Sequence, residues 1–214
     1  MDTLQTPPLL RGWLHLGTAP VAMLAGSALV ILAPTLQARF TIAIFTLSAV
    51  ALFSVSATYH TIDWTPNVKR VLRRLDHANI FLIIAGTYTP LTVLWLDERT
   101  ATILLSLVWG GSVIGLLFRI FWLTAPRWLY VPIYIALGWA ALLYLPDFYQ
   151  TAGGLIVGLI LAGGVLYSVG AIIYATKRPK LSQKYFGFHE LFHSLTIAAF
   201  FCHYAAIAIT VAKL

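Results

Sequence analysis

Apolar residues run through this chain in blocks too long for soluble helices or strands. Seven blocks stand out, at about Leu14–Leu36, Phe40–His60, His77–Leu96, Thr100–Phe121, Trp128–Leu145, Thr151–Ala175 and Gly187–Val211. A helix crosses a bilayer with about 20 apolar residues, so each block predicts one span. Lipid cannot satisfy open backbone groups, which makes helices the expected form. The connections are short, the longest being Thr61–Asp76 and Thr176–Phe186. The pattern predicts an all-α integral membrane protein, a seven-transmembrane helix bundle forming a single domain over residues 1–214.

Composition agrees. Apolar residues make up 60% of the chain and charged residues 10%, against about 25% charged in a soluble domain. A mean hydropathy of +0.86 excludes an ordinary soluble globule, a disordered chain and a disulfide scaffold. Cys202 is the one cysteine, inside an apolar block, so no intrachain disulfide can form. A cleavable signal peptide is not expected, because the first block follows Asp2 and Arg11 and is longer than a signal core. The net charge of +7 is read as loop charge facing anionic lipid, with membrane lipids as partners and no nucleic acid.

The distribution of charge sets an orientation. The side holding the N-terminus carries Arg11, Lys69, Arg70, Arg73, Arg74, Arg119, Arg127, Lys177, Arg178, Lys180 and Lys184. The other side carries Arg39, Arg99 and Lys213. Cytoplasmic loops are enriched in Lys and Arg, so the N-terminus is expected in the cytoplasm and the C-terminus outside. Trp13, Trp64, Trp95, Trp122 and Trp128 fall at block ends, where an aromatic belt is expected. Gly111/Gly115 and Gly154/Gly158 form GxxxG spacings that predict close helix packing. Pro90 is expected to kink the third span.

Ionisable residues at membrane depth are costly and are candidates for function. Five of six histidines, His15, His60, His77, His189 and His193, project to the cytoplasmic ends of their spans, as does Asp76. His189 and His193 are four residues apart and share a helix face. His60 on another helix would supply a third ligand and leave a fourth position open, the composition of a catalytic zinc centre. Ser56 lies one turn before His60, and Asp76 could hold water or orient a ligating histidine. Helix packing or interface polarity is the plainer reading of each histidine alone. His203 lies about 15 Å deeper than His193 and is read as a buried, hydrogen-bonded histidine outside the metal set. His77 is read as interfacial. The basic stretches Lys69–Arg74 and Lys177–Lys184 are topogenic, or a collar for a lipid headgroup.

Several of these residues fall in motifs. Ser56-Ala-Thr-Tyr-His60, Leu75-Asp76-His77, Ala85-Gly86-Thr87-Tyr88-Thr89-Pro90, and His189-Glu-Leu-Phe-His193 followed by Cys202-His203 resemble the haemolysin III family of the progestin and adipoQ receptor (PAQR) superfamily. Arg11-Gly-Trp-Leu-His15 is similar to the start of bacterial members. The resemblance covers nearly the whole chain in the same order. It implies a seven-helix fold and a buried zinc ion on His60, His189 and His193, with the family's serine at Ser56 and its aspartate at Asp76. Its members include ceramidase-type lipid-amide hydrolases, receptors, and bacterial proteins named for cytolysis or tied to membrane-lipid homeostasis.

The leading expectation is a zinc-dependent lipid hydrolase of the plasma (inner) membrane, cleaving an amide or ester. Asp76 would serve as general base and Ser56 would position water or stabilise the oxyanion. The alternatives are a non-catalytic sensor or homeostasis protein with structural zinc, an oligomeric cytolytic pore, and a bis-histidine haem protein using His60 and His193. No span carries a polar stripe able to line a monomeric pore.

Overall fold

The computed structural model describes residues 8–179, 181–182 and 184–214; Asp2 and Lys180, used above, lie outside them. The helices are α1 (Trp13–Leu32), α2 (Leu36–Thr61), α3 (Pro66–Trp95), α4 (Glu98–Phe121), α5 (Arg127–Gly138), α6 (Leu145–Ala152), α7 (Gly154–Thr176) and α8 (Phe188–Lys213). A short 3₁₀ turn, Ala140–Tyr144, joins α5 to α6. Among the described residues, seven helical segments are long and apolar enough to cross a membrane, with Arg127–Ala152 counting as one. The protein is a multi-pass seven-helix membrane bundle.

Sequential helices pack side by side, and α8 closes the ring by packing on both α7 and α1. Helix α3 touches α2, α4, α5, α6 and α8, so it runs through the middle. That position explains its long buried stretch from Ala85 to Thr92, which includes Gly86 and Pro90. Pro90 removes one backbone donor, yet α3 continues past it to Trp95.

Two elements differ from the sequence pattern. Helix α3 starts at Pro66, three turns before the expected boundary at His77. Pro66 occupies the first turn, where a missing N–H costs nothing, and the Lys and Arg residues that follow are good helix formers. The basic cluster is therefore the exposed aqueous start of a helix, and Asp76 lies inside α3 instead of opening it. The fifth span breaks after Gly138 into the 3₁₀ turn, and Pro146 then sits in the first turn of α6, where its missing N–H costs nothing. The Tyr88 hydroxyl splices the break, donating to the Gly138 carbonyl (2.8 Å) and accepting from the Ala141 N–H (2.7 Å). Tyr88→Phe leaves both backbone groups unpaired in apolar surroundings and should cost about 1–3 kcal/mol. Thermal unfolding in detergent checks this, and an unchanged midpoint would mean the splice contributes nothing.

The GxxxG expectation holds in one pair and fails in the other. A Cβ on Gly115 would collide with the Phe81 ring, and one on Gly111 would meet Leu137 at 2.8 Å. Gly158 faces open space and Gly154 only grazes Tyr149. The close approaches on α7 come instead from Gly163, against His203, and Gly170, against Phe192 and Leu195. Arg119, counted above as loop charge, is fully buried at the end of α4. Its guanidinium lies 4.1 Å from the centre of the Tyr130 ring and Nη1 reaches the Trp122 carbonyl at 3.4 Å. A cation there also complements the negative end of the helix dipole.

Outside the membrane, Asp97 caps α4 by accepting from the Arg99 and Thr100 N–H groups. Its carboxyl lies below the ordinary carboxylate range, held there chiefly by the Thr100 side chain and N–H. Trp13, Trp122 and Trp128 are exposed at helix ends, as a belt requires, whereas Trp95 donates inward to Thr210 at 2.8 Å.

Candidate metal centre

The site forms where the end of α2 meets the start of α8. His60 is the penultimate residue of α2. Gly187 precedes α8, which places His189 and His193 in its first two turns and on one face. One nitrogen from each of the three histidines lies within 4.8 Å of the other two. The His60 Nε2 to His189 Nε2 distance is 3.3 Å. Tetrahedral zinc with Zn–N of about 2.0–2.1 Å requires about 3.3–3.4 Å between ligand nitrogens, so this edge of the site already has the right length. His193 Nδ1 is buried and has no hydrogen-bond partner among the described residues, which leaves the ring free to coordinate. The residues present therefore fit a zinc ion. They do not fit a haem: a macrocycle between His60 and His193 would need the space that His189 fills.

Asp76 and Ser56 join the site from α3 and α2. Asp76 Oδ2 lies 4.0 Å from His60 Nε2 and 3.9 Å from His77 Nδ1. That spacing is too long for a direct hydrogen bond and suits an intervening water. Ser56 is buried one turn below His60 and lines the same cavity as Asp76. All five residues singled out in the sequence thus meet in one place.

The other histidines resolve differently. His77 is buried, not interfacial. Its Nδ1 donates to the Arg73 carbonyl at 2.7 Å, which leaves Nε2 to accept from the Tyr174 hydroxyl at 3.0 Å. His203 stays apart from the metal set, as expected, and bonds the Ile160 carbonyl through Nε2 at 3.3 Å. His15 stacks on His193 with ring centres 3.8 Å apart and planes at 15°, while the Phe53 ring meets it edge-on. It locks the ring plane of a candidate ligand.

Sequence reasoning missed Glu190. It is fully buried, its Oε1 accepts from Arg11 Nε, and its Oε2 accepts from the Gly187 N–H at 2.7 Å. This second bond fixes the first turn of α8, hence the direction of His189. The signal was available: a glutamate three residues after the residue preceding a helix is a cap. Gly12 brings Arg11 to this point. Its φ of +84° is a left-handed conformation, and a Cβ there would strike the His60 side chain at 2.7 Å.

A partly open cavity of about 140 Å³ lies beside the histidines, well above the 10–15 Å³ or so that one water needs. It runs past Ile84 and Leu161 to Phe148, Tyr167 and His203, and its walls are predominantly apolar.

The sequence profile described as "Haemolysin-III related" matches residues 4–204. The chain belongs to the haemolysin III family. This haemolysin III protein is 30% identical to Hemolysin-3 of Bacillus cereus over 172 residues, covering 78% of this chain and 75% of that one. Against the Hemolysin-3 homolog of Bacillus subtilis, identity is 32% over 163 residues, or 74% and 73% of the two chains. A more distant similarity, 25% over 199 residues, reaches the adiponectin receptor protein of Drosophila melanogaster; it covers 80% of this chain and 43% of the receptor. These matches place the family within the PAQR superfamily.

Proposed function

We propose that this haemolysin III protein is a zinc-dependent hydrolase of membrane lipids, cleaving an acyl amide or ester at the cytoplasmic end of the bundle. The convergence of His60, His189 and His193 with Asp76, at one end of an apolar cavity, carries this reading. Zinc held by the three imidazoles supplies Lewis-acid polarisation of a carbonyl and an acidified water. The chain's own groups do the rest. Asp76 takes a proton from the water that its 4.0 Å separation from His60 accommodates. Ser56 holds that water or donates to the developing oxyanion. The apolar walls bind the acyl chain and exclude bulk solvent. The reading includes a plasma (inner) membrane location with the N-terminus in the cytoplasm, supported by the charge distribution.

The relatives named Hemolysin-3 suggest cytolysis instead. A pore through a single chain needs a polar lining, and the apolar cavity argues against one. Asp76→Asn separates the readings, because Asp76 is outside the metal set. Turnover of ceramide or acyl-ester substrates by purified protein should fall by about 100-fold or more, with metal content unchanged. Full turnover in Asp76→Asn would remove it as base. No turnover in the wild type, with loss of stability on metal removal, would favour a structural ion.

A further inference from the structure

The cavity has polar groups at both ends. At the metal end the nitrogens without a partner among the described residues belong to His15 and His193. At the far end, two more cavity-lining residues carry buried polar atoms without a partner among the described residues: Tyr167, through its hydroxyl, and His203, through Nδ1. Their rings stand 5.7 Å apart, inclined by 32°. Neighbouring hydroxyls on the same walls are already spent: Ser168 donates to the Gly164 carbonyl and Thr196 to the Phe192 carbonyl.

The protonation pattern of this pair follows from its contacts. The Ile160 carbonyl can only accept, so His203 Nε2 carries the proton that it shares there. His203 Nδ1 is then a bare acceptor and the Tyr167 O–H a free donor, both buried on residues that line the cavity. Gly163 makes room for the His203 ring, since any Cβ there would collide with it. An acceptor and a donor together match a group that both gives and takes a hydrogen bond. Leaving either unsatisfied in an apolar wall is costly.

We propose that Tyr167 and His203 form a second, polar subsite that binds a hydroxyl carried part-way along an acyl chain. His203 lies ten residues after His193 on α8, about 15 Å further along the cavity. The hydroxyl therefore sits about 15 Å from the carbonyl when that carbonyl is at the histidine cluster. A keto group satisfies only Tyr167, and an unsubstituted chain satisfies neither. This subsite rests on the lipid-hydrolase reading for what enters the cavity, and it adds a preference among chains.

The test measures binding of stearic acid and a positional series of hydroxystearic acids to the full-length protein in detergent. Each chain is offered as the free acid and as its N-acyl ethanolamide. The expected result is about tenfold tighter binding for one mid-chain position than for stearate, lost in Tyr167→Phe and in His203→Gln. Tighter binding of the amides identifies an intact lipid as the source of the chain, and tighter binding of the acids identifies a released one; both carry the subsite. Tyr167→Phe preserves the ring, and its unfolding midpoint controls for folding. Equal affinities for all chains would overturn the subsite while leaving the lipid reading intact. Binding of no chain in either form would overturn both.

Discussion

In His193→Ala, the metal content of the purified protein falls from about one ion per chain to none. The expectation follows from ligand count. A three-histidine site reduced to two loses its closed geometry, and even changes in groups that merely orient a ligand cost about 10–100-fold in affinity. Loss of a ligand should exceed that, so dialysed protein retains no ion. Plasma mass spectrometry of wild type, His193→Ala and His203→Ala makes the measurement. His203 shares α8 with His193 and lies outside the cluster, so His203→Ala keeps its ion. Zinc is the expected element, although imidazole donors also suit copper, iron and nickel, and the same spectrum identifies which is held. Metal that persists in His193→Ala would move the ion elsewhere. A metal-free, well-folded wild type would remove the hydrolase reading altogether.

How much of this was legible in the sequence depends on the interaction involved. The spans were legible because bilayer thickness dictates block length. The His189/His193 pair was legible because helical period alone puts the two on one face, and the charge asymmetry set His60 at the same level. Asp76 was placed at the right depth but on the wrong local structure. The sequence marks the apolar start at His77, whereas helix formation responds to Pro66 and the basic residues behind it. The break after Gly138 was not legible, because its unpaired backbone groups are satisfied by Tyr88 from another helix. Gly154/Gly158 matched a packing motif without a partner helix to meet it. For the break after Gly138 and for Gly154/Gly158, the missing information was which residues from elsewhere in the chain lie alongside.

Removing Arg11 should destabilise the protein more than neutralising Glu190, although the two residues form one ion pair. Glu190 is completely buried, with side-chain exposure of 1%, while that of Arg11 is 22%. Arg11→Ala strands a carboxylate in apolar surroundings with the Gly187 N–H as its remaining bond. Breaking a buried pair in this way costs about 3–5 kcal/mol, and the partial exposure of Arg11 puts the loss near the lower end. Glu190→Gln instead leaves a cation close enough to the surface to reach water along its flexible stem. The glutamine oxygen can still accept from Gly187, so the start of α8 stays capped. The double variant Arg11→Ala/Glu190→Gln should recover most of the loss, because no buried charge remains. Unfolding midpoints of the three variants in detergent test the order, and an Arg11→Ala midpoint equal to wild type would contradict it. The same asymmetry should reach the metal. The stranded carboxylate sits at the turn that aims His189, so Arg11→Ala should release its ion under milder chelation than Glu190→Gln.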